Sequence, residues 1–144
     1  MKRRKLMGTE RTKMPSSFTK PLIVKKLKGG MWEVVFGFQY FIGKENSNEW
    51  VIVPEGFKTD FASIPRIFWT ILPPDGTYSQ SAVLHDFFYS TQVYTRKRSD
   101  QIFLESMEVL GVEWWKRKVM YRAVRMFGWL AWKNKNAKKK QEKT

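Results

Sequence analysis

The sequence predicts an α+β fold, with a small antiparallel sheet of about three strands followed by three to four helices. Three observations carry that expectation. Before Pro54 the apolar residues come in short runs rich in Val, Ile and Phe, divided by turn residues. After Gly56 the apolar spacing lengthens to a helical period. The second part is punctuated by helix caps and stops at Ser63-Ile64-Pro65, Pro73-Pro74, Thr95 and Gly111. Strands first and helices after is the order of an α+β domain rather than of alternating βαβ units.

Taken in order, residues 1–19 lack hydrophobic periodicity and read as a basic N-terminal arm. Leu22 to Leu27 and Met31 to Ile42 flank Gly29-Gly30, the signature of a hairpin. Lys44 to Glu49 is a turn, and Trp50 to Val53 is a third strand closed by Pro54. Ser63 ahead of Pro65 opens a short helix to about Leu72, since a hydroxyl caps the first turn and proline's missing N–H costs nothing there. Ser79 opens a helix through Tyr89, and Thr95 caps another to about Leu110, ended by Gly111. The last helix, about Val112 to Lys133, is the longest. Its stripe of Val112, Trp115, Val119, Ala123, Met126, Phe127 and Leu130 is expected in the core, together with Trp32 or Phe36, Phe57, Phe68, Leu84 and Phe103. One domain over residues 20–133 results, with a basic tail at 134–144.

At 144 residues, 42% hydrophobic and 16% aromatic, the chain has the material for a buried core. It has no cysteine, so no disulfide partner and no thiolate metal site are expected. No apolar run approaches the roughly 20 residues that span a bilayer, so no transmembrane segment is expected, nor a secretory signal. The net charge of +14 is unevenly spread: ten Lys/Arg against one Glu over residues 1–28, six against ten acidic residues over 29–112, and eleven against two over 113–144. Two cationic ends flank a mildly acidic body. That pattern suits a polyanionic partner, or serves only as solvated tails.

Most residues capable of chemistry fall between Val53 and Asp100, including the single histidine. Helical spacing puts Ala82, His85, Asp86 and Tyr89 on one face. The loop carrying Thr59, Asp60 and Ser63 is expected opposite. Asp60 would orient the His85 imidazole, Ser63 would offer a hydroxyl, and Arg66 or Arg96 a cation. Asp60, Ser63, His85 and Asp86 are thus the candidate catalytic residues of a small hydrolase acting on an amide or phosphoester. Tyr89, Arg96 and Asp100 are expected as a supporting polar network. The same residues serve equally as a satisfied structural network, because Ser63 lies outside any Gly-x-Ser-x-Gly elbow. One histidine with carboxylates is a thin ligand set, so no metal and no cofactor are expected.

The final helix carries a second signal. Opposite its expected core stripe lie Arg117, Lys118, Arg122 and Arg125, interleaved with Trp114, Tyr121, Trp129 and Trp132. Arg117, Lys118, Arg122, Arg125, Trp129 and Trp132 are the candidate binding residues, since basic faces bearing large aromatics suit nucleic acid, a membrane surface or a partner protein.

The strings Val53-Pro-x-Gly56-Phe57-x-Thr59-Asp60-x-Ala62-Ser63-Ile64-Pro65-Arg66, Leu84-His85-Asp86-x-x-Tyr89, Arg96-x-x-x-Asp100 and Tyr121-x-x-Val124-Arg125-x-x-Gly128 resemble a small family whose members occur in tailed bacteriophages and prophages. The resemblance spans roughly residues 30–132. It implies a viral source, without an established activity. The expected function is that of a phage accessory protein of the virion or host cytoplasm. It would dock on nucleic acid or other phage proteins through its basic ends and final helix, the hydrolase being the alternative.

Overall fold

Gly29 and Gly30 both take left-handed φ values, 72° and 76°, which a residue bearing a Cβ adopts rarely, and the chain reverses there. The computed structural model describes residues 17–43, 48–60, 70 and 77–143. Six strands are assigned among them: β1 (Ser17–Phe18), β2 (Val24–Lys26), β3 (Trp32–Val34), β4 (Phe38–Phe41), β5 (Trp50–Val53) and β6 (Lys58–Thr59). Three α-helices follow: α1 (Ser79–Thr91), α2 (Arg96–Val109) and α3 (Trp114–Glu142). The fold is α+β, as the sequence predicts. The expected helix from Ser63 to Leu72 lies outside the described residues except at Thr70.

The strands form two three-stranded antiparallel sheets, ordered β1-β4-β5 and β2-β3-β6, rather than one sheet of about three. The expected strand from Met31 to Ile42 is divided between them. Its inward alternation holds at Val34, Phe38, Tyr40 and Ile42, but Phe36 is 55% exposed. The break falls there because the backbone of residues 53–55 passes directly against Gly37. A Cβ on Gly37 would sit 3.0 Å from the Val53 carbonyl oxygen and 3.1 Å from the Glu55 nitrogen. Val34 meanwhile exchanges hydrogen bonds with the loop after β5: its N–H donates to Phe57 O at 2.9 Å, and its carbonyl accepts from Gly56 N–H at 2.8 Å. The chain therefore leaves one sheet at Val34 and enters the other at Phe38.

Helix α2 starts where its cap predicts. The Thr95 hydroxyl accepts from the Arg98 N–H at 3.1 Å, and Gly111, at φ 80°, follows the end of α2. Leu84 and Phe103 are fully buried, whereas Trp32 and Phe57 are half-buried. One core lies between the sheets and the first two helices: Val34, Phe38, Tyr40, Ile42 and Val53 against Val83, Leu84, Phe88 and Ile102. A second fills the space between helices, with Ala82, Phe103 and Met107 against Val112, Met120 and Val124.

The final helix departs from expectation twice. It continues past Lys133 to Glu142. It also turns a different face inward: Met120, Ala123, Val124 and Gly128 are buried, while Trp115, Met126, Phe127 and Leu130 of the expected core stripe are exposed. The cause is a close approach. A Cβ at position 128 would lie 2.5 Å from the Tyr89 hydroxyl. The helix therefore packs on its small residues, and its bulkiest apolar side chains lie on the far side.

Candidate functional site

Helix α1 carries Ala82, His85, Asp86 and Tyr89 on one face, all fully buried, as their spacing predicts. His85 and Tyr89 converge on Asp100, five residues after the Thr95 cap of α2. The carboxylate can only accept, so His85 Nε2–H donates to its Oδ1 at 2.6 Å and the Tyr89 hydroxyl donates to the same oxygen at 2.7 Å. Arg125, from α3, donates through Nη1 to Oδ2 at 2.7 Å. The Arg96 guanidinium stands 3.5 Å from Oδ2 and donates onward to the carbonyl of Val124 at 3.0 Å. One carboxylate thus ties all three helices together.

The electrostatics follow from that arrangement. Burial pushes the Asp100 carboxyl upward, but hydrogen bonds from His85, Tyr89 and Arg125 outweigh it and hold the group below the ordinary aspartate range. The Tyr89 phenol is driven well above its ordinary value, first by burial and then by the adjacent Asp100 charge. The His85 ring lies between Tyr89 (centroids 4.2 Å apart) and Phe103 (4.6 Å). Its Nε2 proton is engaged by Asp100 and its side chain has no exposed surface.

Gly128 makes the centre possible. Its missing side chain leaves room for the Tyr89 hydroxyl and for Arg96 Nη1, which would lie 3.4 Å from a Cβ there. Beyond it, Trp132 packs edge-on against Tyr89 with centroids 5.0 Å apart, and its carbonyl accepts from Gln92 Nε2 at 3.0 Å. Lys135 then reaches the buried Asp86 carboxylate at 3.2 Å.

The expected site residues therefore divide. His85, Tyr89, Arg96 and Asp100 come together as a network. Asp86 shares their helix face but pairs with Lys135. Asp60 is exposed just after β6, and the carboxylate at His85 Nε2 is Asp100, a residue expected as support. Ser63 and Arg66 lie outside the described residues. No cluster of three or more His, Asp or Glu able to hold a metal occurs among the described residues.

The binding candidates divide as well. Arg125 points inward to Asp100, Trp132 is half-buried against Tyr89, and Arg117 donates to the Val112 carbonyl at 3.1 Å. Lys118, Arg122 and Trp129 face outward. Around them the outer face of α3 exposes Trp114 (64%), Met126 (65%), Trp129 (53%) and Leu130 (53%), with Lys118 over the Trp114 ring at 5.4 Å. Helical spacing did place Trp129 among cations. It did not reveal that Met126 and Leu130 join it outside.

Residues 32–124 match the family described as proteins of unknown function, DUF1353. The chain belongs to this family. The DUF1353 match includes His85, Asp86, Tyr89, Arg96 and Asp100, and ends before Arg125, Gly128, Trp132 and Lys135. Among curated proteins, the chain is similar to uncharacterized protein y4jT of Sinorhizobium fredii, at 41% identity over 78 residues, covering 53% of this chain and 23% of that protein. It is also similar to uncharacterized protein y4iH of the same organism, at 36% identity over 73 residues, covering 49% of this chain and 30% of that one. This DUF1353 chain therefore aligns with less than a third of the length of either relative. No solved structure matches it. Among the described residues no helix is long and apolar enough to cross a membrane.

Sequence reasoning missed the roles of Gly128, Lys135 and Lys139, all beyond the DUF1353 match. Gly128 had a signal, a glycine inside an otherwise helical run, which often marks a close approach. The two lysines had none that separates them from Lys138 and Lys140 beside them.

Proposed function

We propose that this protein is a phage-encoded accessory protein that works by association, binding nucleic acid through the outer face of α3 with help from its cationic ends. One observation carries the reading: the side of α3 turned away from the core exposes Trp114, Met126, Trp129 and Leu130 among Lys118 and Arg122. An exposed apolar strip of that kind marks an interaction surface. A net charge of +14 favours a polyanion over a neutral partner, because each neutralised phosphate releases counterions. Exposed indoles add base stacking, which tolerates any sequence. The motif strings around Asp60 and His85 support the phage source, and with it a place in the virion or host cytoplasm. The alternative reading is a small hydrolase built on His85, whose side chain has no exposed surface and whose Nε2 faces Asp100.

Salt dependence tests the proposal. Affinity for single-stranded and duplex oligonucleotides should fall linearly on a log–log scale, by about 0.7 per phosphate contact on single strands and 0.9 on duplex. The triple variant Lys118→Gln/Arg122→Gln/Lys133→Gln should show a shallower slope. Negligible binding to DNA and RNA at low salt would overturn the nucleic-acid reading and direct the same face toward a neighbouring phage subunit.

A further inference from the structure

Among the described residues, both carboxylate oxygens of Asp86 are buried and accept no hydrogen bond. A buried carboxylate in that state is costly, and it persists only where a charge compensates it. The compensation comes from 49 positions further along the chain. The Lys135 ammonium stands 3.2 Å from Asp86 Oδ1 and donates to the Ser90 hydroxyl, one turn further along α1, at 3.0 Å. One turn on along α3, the Lys139 ammonium donates to the Thr91 carbonyl at 2.5 Å. Thr91 is the last residue of α1, where unpaired carbonyls and the helix dipole favour a cation.

We propose that the C-terminal turn of α1 is a binding site for primary ammonium groups, with Asp86 as the counter-charge and Ser90 and the Thr91 carbonyl as acceptors. In this chain the site is filled by Lys135 and Lys139 of its own final helix. The geometry selects ammonium over guanidinium. Each nitrogen meets single oxygens from different residues, Lys135 Nζ at Asp86 Oδ1 and Ser90 Oγ and Lys139 Nζ at the Thr91 carbonyl, which suits compact point charges, whereas guanidinium prefers a forked carboxylate. The site also explains why α3 runs to Glu142. Lys135 and Lys139 are like charges one turn apart, and Lys138 and Lys140 add more, so the segment repels itself as an isolated helix. Neutralising Lys135 against Asp86 and seating Lys139 on a helix end converts that repulsion into docking. Both lysines lie beyond the family match, which ends at Val124. The receptor half of the site therefore falls inside the family region, and the occupant falls outside it.

Chemical rescue tests this in the full chain. Lys135→Ala should melt at a lower temperature, and n-butylammonium chloride should raise the melting point again with a saturating dose response. Tetramethylammonium chloride and sodium chloride at equal ionic strength should not, since neither carries an N–H donor. Asp86→Asn should lose hydrogen-exchange protection over residues 135–142 by about tenfold or more, the loss of one docked ion pair. Its core amides should stay protected and it should ignore the amine. If Lys135→Ala fails to fold, the Asp86→Asn/Lys135→Met pair removes the uncompensated charge and should fold with the same frayed segment. Equal responses of Lys135→Ala to all three salts, or full protection of residues 135–142 in either Asn variant, would overturn the proposal.

Discussion

At the scale of single residues, Asp100 joins the helices, because four side chains from three helices meet on its carboxylate. Replacing His85 with Ala leaves Asp100 one donor short, which should cost about 1–3 kcal/mol in a denaturant or thermal melt. An undiminished melt would mean the bond contributes nothing to the fold. Acid stability gives a second reading. The folded-state ionisation of Asp100 lies below the ordinary value of about 3.9. A depressed carboxylate contributes stability that is present in full above about pH 5 and disappears as pH falls below 4, through its folded value. Asp100→Asn should therefore be less stable at pH 7 and show a flatter acid limb, and an unchanged acid limb would assign that limb to other carboxylates. Gly128→Ala places a carbon 2.5 Å from the Tyr89 hydroxyl. Forcing the tyrosine aside should destabilise the protein by about 1–3 kcal/mol, as overpacking does, and a neutral result would show the helix yielding at no cost.

At the scale of elements, the helix starts were legible and the faces were not. Thr95 announced α2 because a cap is a local event: its hydroxyl satisfies the Arg98 N–H three residues away. Thr95→Ala should accordingly cost about 1 kcal/mol by denaturant titration, and the loss of nothing would demote the cap to decoration. The Gly29-Gly30 turn was legible for the same reason, since two left-handed residues define it. The break at Val35–Gly37 was not, because it is caused by residues 53–55 passing against Gly37. The inward face of α3 was hidden for a similar reason. A hydrophobic stripe is ordinarily core, but this helix is seated by Gly128 against a tyrosine and an arginine from other helices. Of the site, the grouping of His85, Asp86 and Tyr89 followed from one helix's periodicity. The pairing of His85 with Asp100 depended on how two helices pack.

At the scale of the whole molecule, the chain separates a sealed interior from a charged, aromatic exterior. Among the described residues the interior holds His85, Tyr89, Asp100 and the heads of Arg96 and Arg125 in one network, and Asp86 pairs with Lys135. The exterior of α3 presents indoles and cations that the core does not use. Function assigned to the exterior makes a comparison of two folded variants decisive: the affinity of Trp129→Ala and of His85→Gln for a fluorescent single-stranded oligonucleotide, at one salt concentration and corrected for folded fraction. Trp129→Ala should weaken binding by about 1–3 kcal/mol, the value of one stacked base, while His85→Gln binds as the parent does. Unchanged binding by Trp129→Ala, together with its loss in a fully folded His85→Gln, would contradict the account and return the function to the buried centre.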